Sequence, residues 1–351
     1  MRFVIAILIY IFIGESLLYS DSKDRNSYNE VNSAVLFMYH RFGDERYPST
    51  NVTLEQFEKH LEYIEKNNFN VWPLSKIVRY ISEKKQLPEK TIAITIDDAY
   101  ITVYTNAYPR LKAKKMPFTV FVNTNAVDVK SKNYISWEKM REMQLNGVEF
   151  ANHSLTHAYL LQSENESKEE WRTRVMKEVE GAQKRLQDEL GDDVNKNPQL
   201  FSYPFGEHDK SVRELLKELN YIGVAQASGV FSESSNLQEI PRYAMAEAFA
   251  EIDDFALKIN TLPLPIESAY PNDTRVKDNN PPKLRLKLKR EIEGIQCYRA
   301  NGEKIEMEWI SSKELEIQSK TPLNAPRDRY TCTARSKENK WYWYSKFWIL
   351  K

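Results

Sequence analysis

Short apolar, β-branched runs recur through the first two-thirds of the chain, at residues 34–39, 70–72, 91–96, 118–122, 148–151, 200–203 and 221–225. Between them apolar residues fall three and four apart, as on the buried face of a helix. Thr53 followed by Gln56 has the form of a capping box and opens a helix running to Lys66. Trp171, Val175, Val179, Ala182, Leu186 and Leu190 mark one stripe of a longer helix that stops at Gly191. Seven strands alternating with helices predict a parallel α/β fold. The count suits a distorted (β/α)7-type barrel, expected over residues 30–262, better than a regular eight-stranded one.

Near residue 262 the pattern changes. Pro263, Pro265, Pro271, Pro281 and Pro282 punctuate a polar stretch, which predicts a linker over 263–282. From Lys283 to Lys289 polar and apolar residues alternate strictly, as in a half-buried strand. Further β-type runs at 306–310, 314–317, 330–334 and 341–349 predict a small all-β sandwich over 283–351. The only two cysteines, Cys297 and Cys332, both lie there. Oxidised, they would close a loop of about 35 residues, worth roughly 3–4 kcal/mol. Two buried free thiols are the other reading, and the sequence leaves both open. No second ligand pair of metal spacing lies nearby to make this a zinc site.

With 351 residues, 41% of them hydrophobic and 28% charged, the chain can form one large domain and one small one. Fifty basic residues balance fifty acidic ones, so there is no general pull toward nucleic acid, and none is expected as a partner. Residues 281–351 are locally basic, 16 against 9 or a net of +7. That face would suit contact with a polyanionic cell wall or matrix, although a solvated sheet face is the plainer reading. Trp341, Trp343 and Trp348 would either stack on sugars or fill a small core. At the other end, Met1-Arg2, an apolar run over 3–13 and a polar exit match a secretory signal peptide over 1–22. The run is short for a membrane span, and an uncleaved anchor is the alternative. Export to the periplasm or the cell exterior is therefore expected.

Three segments carry the candidate chemistry, each directly after an apolar run: Asp97-Asp98, His153-Ser154-Leu155-Thr156-His157, and Tyr203-Pro204-Phe205-Gly206. Two histidines four apart would lie on one side of a helical turn. With Asp98 they make two imidazoles and one carboxylate, a divalent-metal set that leaves positions open for water and substrate. Neighbouring carboxylates point different ways, so Asp98 can ligate while Asp97 takes a proton from activated water. An N-cap pair for a following helix is the bland reading of the two aspartates. In the third segment Pro fixes one φ and Gly permits unusual angles, which leaves the Phe205 N–H free to stabilise an oxyanion. Tyr100, Trp137, Tyr159, Tyr203, Pro204 and Phe205 are candidates to line a sugar groove. His40 and His208 also follow strand-like runs.

Together these segments resemble the polysaccharide deacetylase family, the NodB-type family 4 carbohydrate esterases. Thr95-Ile96-Asp97-Asp98 is similar to that family's first motif, His153 to His157 to its second, and Tyr203 to Gly206 to part of its third. The resemblance covers roughly residues 33 to 250. It implies a distorted barrel, a divalent metal, usually zinc, and removal of N-acetyl groups from a glycan polymer. Asp97 would be the base, Asp98, His153 and His157 the ligands, and the Phe205 N–H the oxyanion donor. Two departures bear on mechanism. Ser202 stands where the third motif usually has Arg, and no histidine follows His208 to supply the late Leu-x-His acid.

Met38-Tyr39-His40 and Tyr-Pro-Phe-Gly-Glu instead resemble the branch acting on poly-β-1,6-N-acetylglucosamine. By that resemblance His40 would serve as general acid, and Arg242, in Ile-Pro-Arg, would orient Asp97 in place of the missing Arg. Peptidoglycan, chitin oligomers and O-acetylated glycans remain alternative substrates. A non-catalytic glycan-binding protein on the same fold is the alternative class.

Overall fold

The computed structural model describes residues 31–195 and 197–350. The expected signal peptide lies outside the described residues, and none of their helices is long and apolar enough to cross a membrane.

Six parallel strands run side by side: β1 (Ser33–Tyr39), β2 (Thr91–Asp97), β3 (Thr119–Val122), β4 (Glu149–Asn152), β5 (Gln199–Ser202) and β6 (Tyr221–Val224). Residues 240–244 bring the two edges of this sheet together. Ile240 bridges Val224 in parallel, and β7 (Tyr243–Ala244) pairs in parallel with Phe37 and Met38 of β1. Val230–Ser232 covers the rest of the β1 edge in antiparallel register. The distorted seven-stave barrel is thus present, but one stave differs from expectation. The run at 70–72 contributes only Asn70–Val71, a short addition beside the start of β2. The seventh stave is interrupted by Pro241-Arg242, which breaks the apolar pattern that marks the others.

Helices cover the outside. The helix Leu54–Lys66 begins in a capping box in which Thr53 and Gln56 bond reciprocally, and Lys168–Leu190 ends at Gly191 with φ 76°. Along β2, Ile92, Ile94 and Ile96 pack against one core cluster while Ala93 packs with Leu36 and Phe121 in another. The two-residue period then places Thr95 and Asp97 on the same face as Ala93.

The C-terminal region is two four-stranded sheets. One contains β8 (Leu262–Pro263), β11 (Gln296–Arg299), β14 (Arg327–Arg335) and β15 (Trp341–Ile349). The other contains β9 (Ile266–Tyr270), β10 (Leu284–Leu288), β12 (Glu306–Ser311) and β13 (Glu314–Gln318). The expected linker over 263–282 therefore needs correction, because its first residues are strands of both sheets. Prolines hid this, yet they are tolerated at strand ends and sheet edges.

On β10 the leucines are buried, and the basic residues around them pair with carboxylates. Lys283 lies 2.8 Å from Glu316, Arg285 2.8 Å from Glu314 and Lys287 2.9 Å from Glu267. Trp348 fills the core, whereas Trp341 and Trp343 are half-buried.

Cys297 and Cys332 sit directly opposite each other on β11 and β14 and form a disulfide. Reducing it, or replacing both residues with Ala, is expected to cost the sandwich roughly 3–4 kcal/mol. Thermal unfolding with and without reductant should show a lower midpoint on reduction; an unchanged midpoint would contradict a stabilising role.

Candidate active site

The functional side chains gather where the parallel strands end, and unusual backbone turns aim them. Asp97 is the last residue of β2 and wholly buried. Asp98 and Ala99 follow with φ 72° and 52°, a left-handed turn that sends consecutive carboxylates different ways. Neither aspartate caps a helix, since helical structure begins only at Ile101. His153 and His157 lie in a loop after β4 and not on the helical turn expected of them. That loop is shaped by left-handed Ser154 and His157. The Ser154 N–H donates to Asn152 Oδ1 at 2.8 Å, and the His157 N–H donates to Ser154 Oγ at 2.9 Å.

The result is convergence. One ligand atom from each of Asp98, His153 and His157 lies within 4.8 Å of the others. Asp98 Oδ1 is 3.3 Å from His153 Nε2 and 3.4 Å from His157 Nε2. His153 Nδ1 sits 2.9 Å from the Ser202 carbonyl, which requires the proton on Nδ1 and turns Nε2 toward the cluster. Burial lowers His157 to about 4, with His153 adding to the effect, so its imidazole is neutral at neutral pH. Burial would raise Asp98, but its hydrogen bond to His153 and the surrounding imidazoles hold it far below the usual carboxylate range. Two neutral-capable imidazoles and one carboxylate, gathered this closely, fit a divalent cation.

Asp97 stands outside that trio and has its own partner. Arg242 forms a bidentate pair with it, Nη1 to Oδ1 at 2.7 Å and Nη2 to Oδ2 at 2.8 Å, and both side chains are fully buried. The guanidinium also donates to Thr95 Oγ1 at 3.0 Å, Ser202 Oγ at 2.8 Å and the Ala225 carbonyl at 3.0 Å. Ser202 Oγ in turn donates to Asp97 Oδ2 at 3.1 Å. Ser202 therefore shares its motif position's work with an arginine from the closing stave. Burial opposes charge on Asp97, but Arg242, together with His153 and His40, outweighs it and keeps the carboxyl below its ordinary range.

His40 follows β1, half-buried. The charges that act on its ring are those of Asp97, Asp98, Arg242 and His153, while burial lowers its pKa. Phe205 takes φ 59° inside the turn Pro204–Gly206, and its N–H has no protein acceptor among the described residues. Its ring lies 4.4 Å from that of His157 and stacks on Tyr159 at 4.3 Å. Arg327, from the start of β14, donates to the Phe205 carbonyl at 2.6 Å. Sequence reasoning missed that contact, and nothing in the local pattern signals it.

Residues 84–224 match the family model described as polysaccharide deacetylase. Two curated relatives are poly-beta-1,6-N-acetyl-D-glucosamine N-deacetylases. The Staphylococcus epidermidis protein is 25% identical over 68% of this chain and 90% of its own length. The Staphylococcus aureus (strain MSSA476) protein is 26% identical over 65% and 83%. Among solved structures, the Streptococcus pyogenes deacetylase PplD in complex with acetate superposes with a TM-score of 0.58. It is 21% identical and covers 65% of this chain and 99% of that one, a likeness of fold.

The chain carries a polysaccharide deacetylase domain.

Within this domain several expected groove residues need correction. Tyr203 is wholly buried, with its hydroxyl on the Gln238 carbonyl at 2.8 Å and its ring on His208. Trp137 is 8% exposed and donates to Asp128 at 2.8 Å. Pro204 is buried in the turn. Aromatic side chains placed this way add to packing and present no face to a sugar. His208 also leaves the site, its Nε2 lying 3.4 Å from Glu239 beside the sandwich. Tyr100 does stay near: burial and then the Asp98 charge raise its pKa, and its ring is covered by the Arg41 guanidinium at 3.3 Å.

Arg242→Met would strand the Asp97 carboxylate, and losing one partner of a fully buried pair costs roughly 3–5 kcal/mol. Urea unfolding should show that loss, while Asp97→Asn combined with Arg242→Met should lose less than the two singles summed. Additive losses would mean that the pair is energetically independent.

Proposed function

We propose that this chain is an exported, metal-dependent N-deacetylase of an N-acetylglucosamine-containing polysaccharide, with the β-1,6-linked polymer preferred. The reading is carried by one observation: three metal-type ligands converge beside a carboxylate that is not one of them. The deacetylase domain and the named substrates of the staphylococcal relatives support the substrate class. The preferred linkage rests on those relatives and on the Met38-Tyr39-His40 resemblance. Export rests on the N-terminal sequence pattern.

Asp98, His153 and His157 would hold the ion, zinc being the expected one. When bound, it supplies a water of lowered pKa and a Lewis acid for the acetyl oxygen. Asp97, kept ionised by Arg242, accepts the proton of the attacking water. The Phe205 N–H donates to the oxyanion as the carbonyl carbon becomes tetrahedral. His40 gives a proton to the departing nitrogen, so that acetate and a glucosamine amine separate. Arg242 acts through Asp97 and is a positioning residue. The basic side chains of β10 already face carboxylates, which leaves little unpaired charge there for wall or matrix contact.

The deciding experiment is acetate release from a panel of N-acetylglucosamine polymers, with and without chelator. Release from the β-1,6 polymer, abolished by chelation and restored by a divalent metal, is expected. A chain that retains glycan and frees no acetate would be a binding protein instead. Asp97→Asn should keep the metal and lose about 10²- to 10⁴-fold in turnover; full activity would remove Asp97 as base. His153→Ala should lose metal and activity together, as read by metal analysis of the purified protein. His40→Ala should lower turnover with metal retained, and an unaffected rate would remove the acid assignment.

A further inference from the structure

An aromatic cavity of about 350 Å³ opens between the barrel and the sandwich. Its walls include Phe249 and Ala244 from the barrel, and Tyr298, Arg329, Trp341 and Trp343 from the sandwich. Phe249 is 47% exposed and offers an open ring, while the half-buried Trp341 already lies under the Arg335 guanidinium at 4.0 Å and Trp343 meets Tyr243 edge-on. The volume lies within the range of small-ligand sites. Ala244 pairs with Met38, two residues before His40, so the cavity adjoins the strand that leads to the candidate acid.

The charges within it are unequal. Lys258 is paired with Asp254 at 2.6 Å, and Arg299 with Asp328 at 2.8 Å. The Arg329 guanidinium, 5.8 Å from the Phe249 ring centre, has no hydrogen bond or ion pair among the described residues. Arg329 lines the cavity and is half-buried, so its guanidinium donors are available to a ligand there. A glucosamine stretch, already deacetylated and cationic, would be repelled there. A neutral N-acetylated stretch would not: pyranose faces stack on the rings, and the acetamido oxygen accepts from the guanidinium.

We propose that this cavity is an accessory glycan site which holds still-acetylated N-acetylhexosamine units and disfavours finished product. The inference rests on the deacetylase reading above and deepens it, assigning the sandwich a part in choosing unprocessed polymer.

The test uses the full chain stripped of metal by chelator, titrated calorimetrically with three probes. These are a fully acetylated β-1,6-linked N-acetylglucosamine hexamer, the same hexamer fully deacetylated, and an oligogalacturonate. The acetylated hexamer should bind at least about tenfold more tightly than the deacetylated one. Arg329→Gln and Phe249→Ala should each weaken it about tenfold, and should raise KM for long polymer while leaving kcat on a disaccharide unchanged. Wild-type affinity in both variants would overturn the site, as would tighter binding of the oligogalacturonate. If the metal-loaded chain frees no acetate but hexamer binding still depends on Arg329, the site stands and the deacetylase reading falls. If acetate is freed and both variants bind and turn over polymer like the wild type, only the accessory site falls.

Discussion

The buried pair of Asp97 and Arg242 is the contact on which this architecture turns. Two charges without solvent are costly, and they persist only where every remaining donor finds a partner. Here the guanidinium reaches β2 through Thr95 and Asp97, β5 through Ser202, and the end of β6 through the Ala225 carbonyl, from its own place on the closing stave. That stave is the weak seam of the barrel, held by one bridge to β6 and two residue pairs to β1. One side chain thus ties the seam across the interior and fixes the candidate base. An apolar pair of equal volume would pack the seam as well. It would not present an ionised carboxylate beside three metal-type ligands.

Around that fixed point the site is assembled from backbone that ordinary residues avoid. Asp98, Ala99, Ser154, His157 and Phe205 all have φ between 52° and 72°. Each such residue costs on the order of 1–3 kcal/mol and survives only where its surroundings over-determine it. The supports are visible: Asn152 under Ser154, Ser154 under His157, and Arg327 on the Phe205 carbonyl. Gly206, at φ 70°, admits the close approach of Gln226, whose Cβ would stand 2.7 Å from any added Cβ. Because strain is absorbed in the fold itself, the candidate cation ligands and the Phe205 N–H are already aimed.

Most of the frame was legible in the sequence because it rests on local rules. Six of the seven staves carry continuous apolar runs, and both long helices announce their ends with a capping box or a glycine. The convergence of Asp98, His153 and His157 was legible from residue types at strand ends, even though the helical turn assumed for the two histidines is a left-handed loop. What escaped was non-local. The seventh stave pairs for two residues on one side and one on the other, too little for periodicity to register. Strand-end position alone also overreached, since His208 follows a strand-like run yet turns to Glu239; Tyr203 and Trp137, read as groove aromatics, turn into the core. Arg242 could be proposed from its setting in Ile-Pro-Arg, but its five bonds depend on residues between 17 and 147 positions away.

The sandwich is joined to the barrel by polar contacts that fix its placement closely. Glu239 pairs with Arg213 and lies 3.9 Å from Lys346 of β15, while Arg213 and Lys346 both donate to the Asn272 carbonyl. Hydrogen bonds tolerate less sliding than apolar contact does. The same join delivers Arg327 to the turn that holds Phe205, so the sandwich bears directly on the backbone of the candidate site. Deleting it would remove turn support and the aromatic cavity at one stroke, and lost activity would not separate the two. Side-chain changes inside the cavity leave Arg327 in place, and only they can tell capture of polymer from alignment of the proposed oxyanion donor.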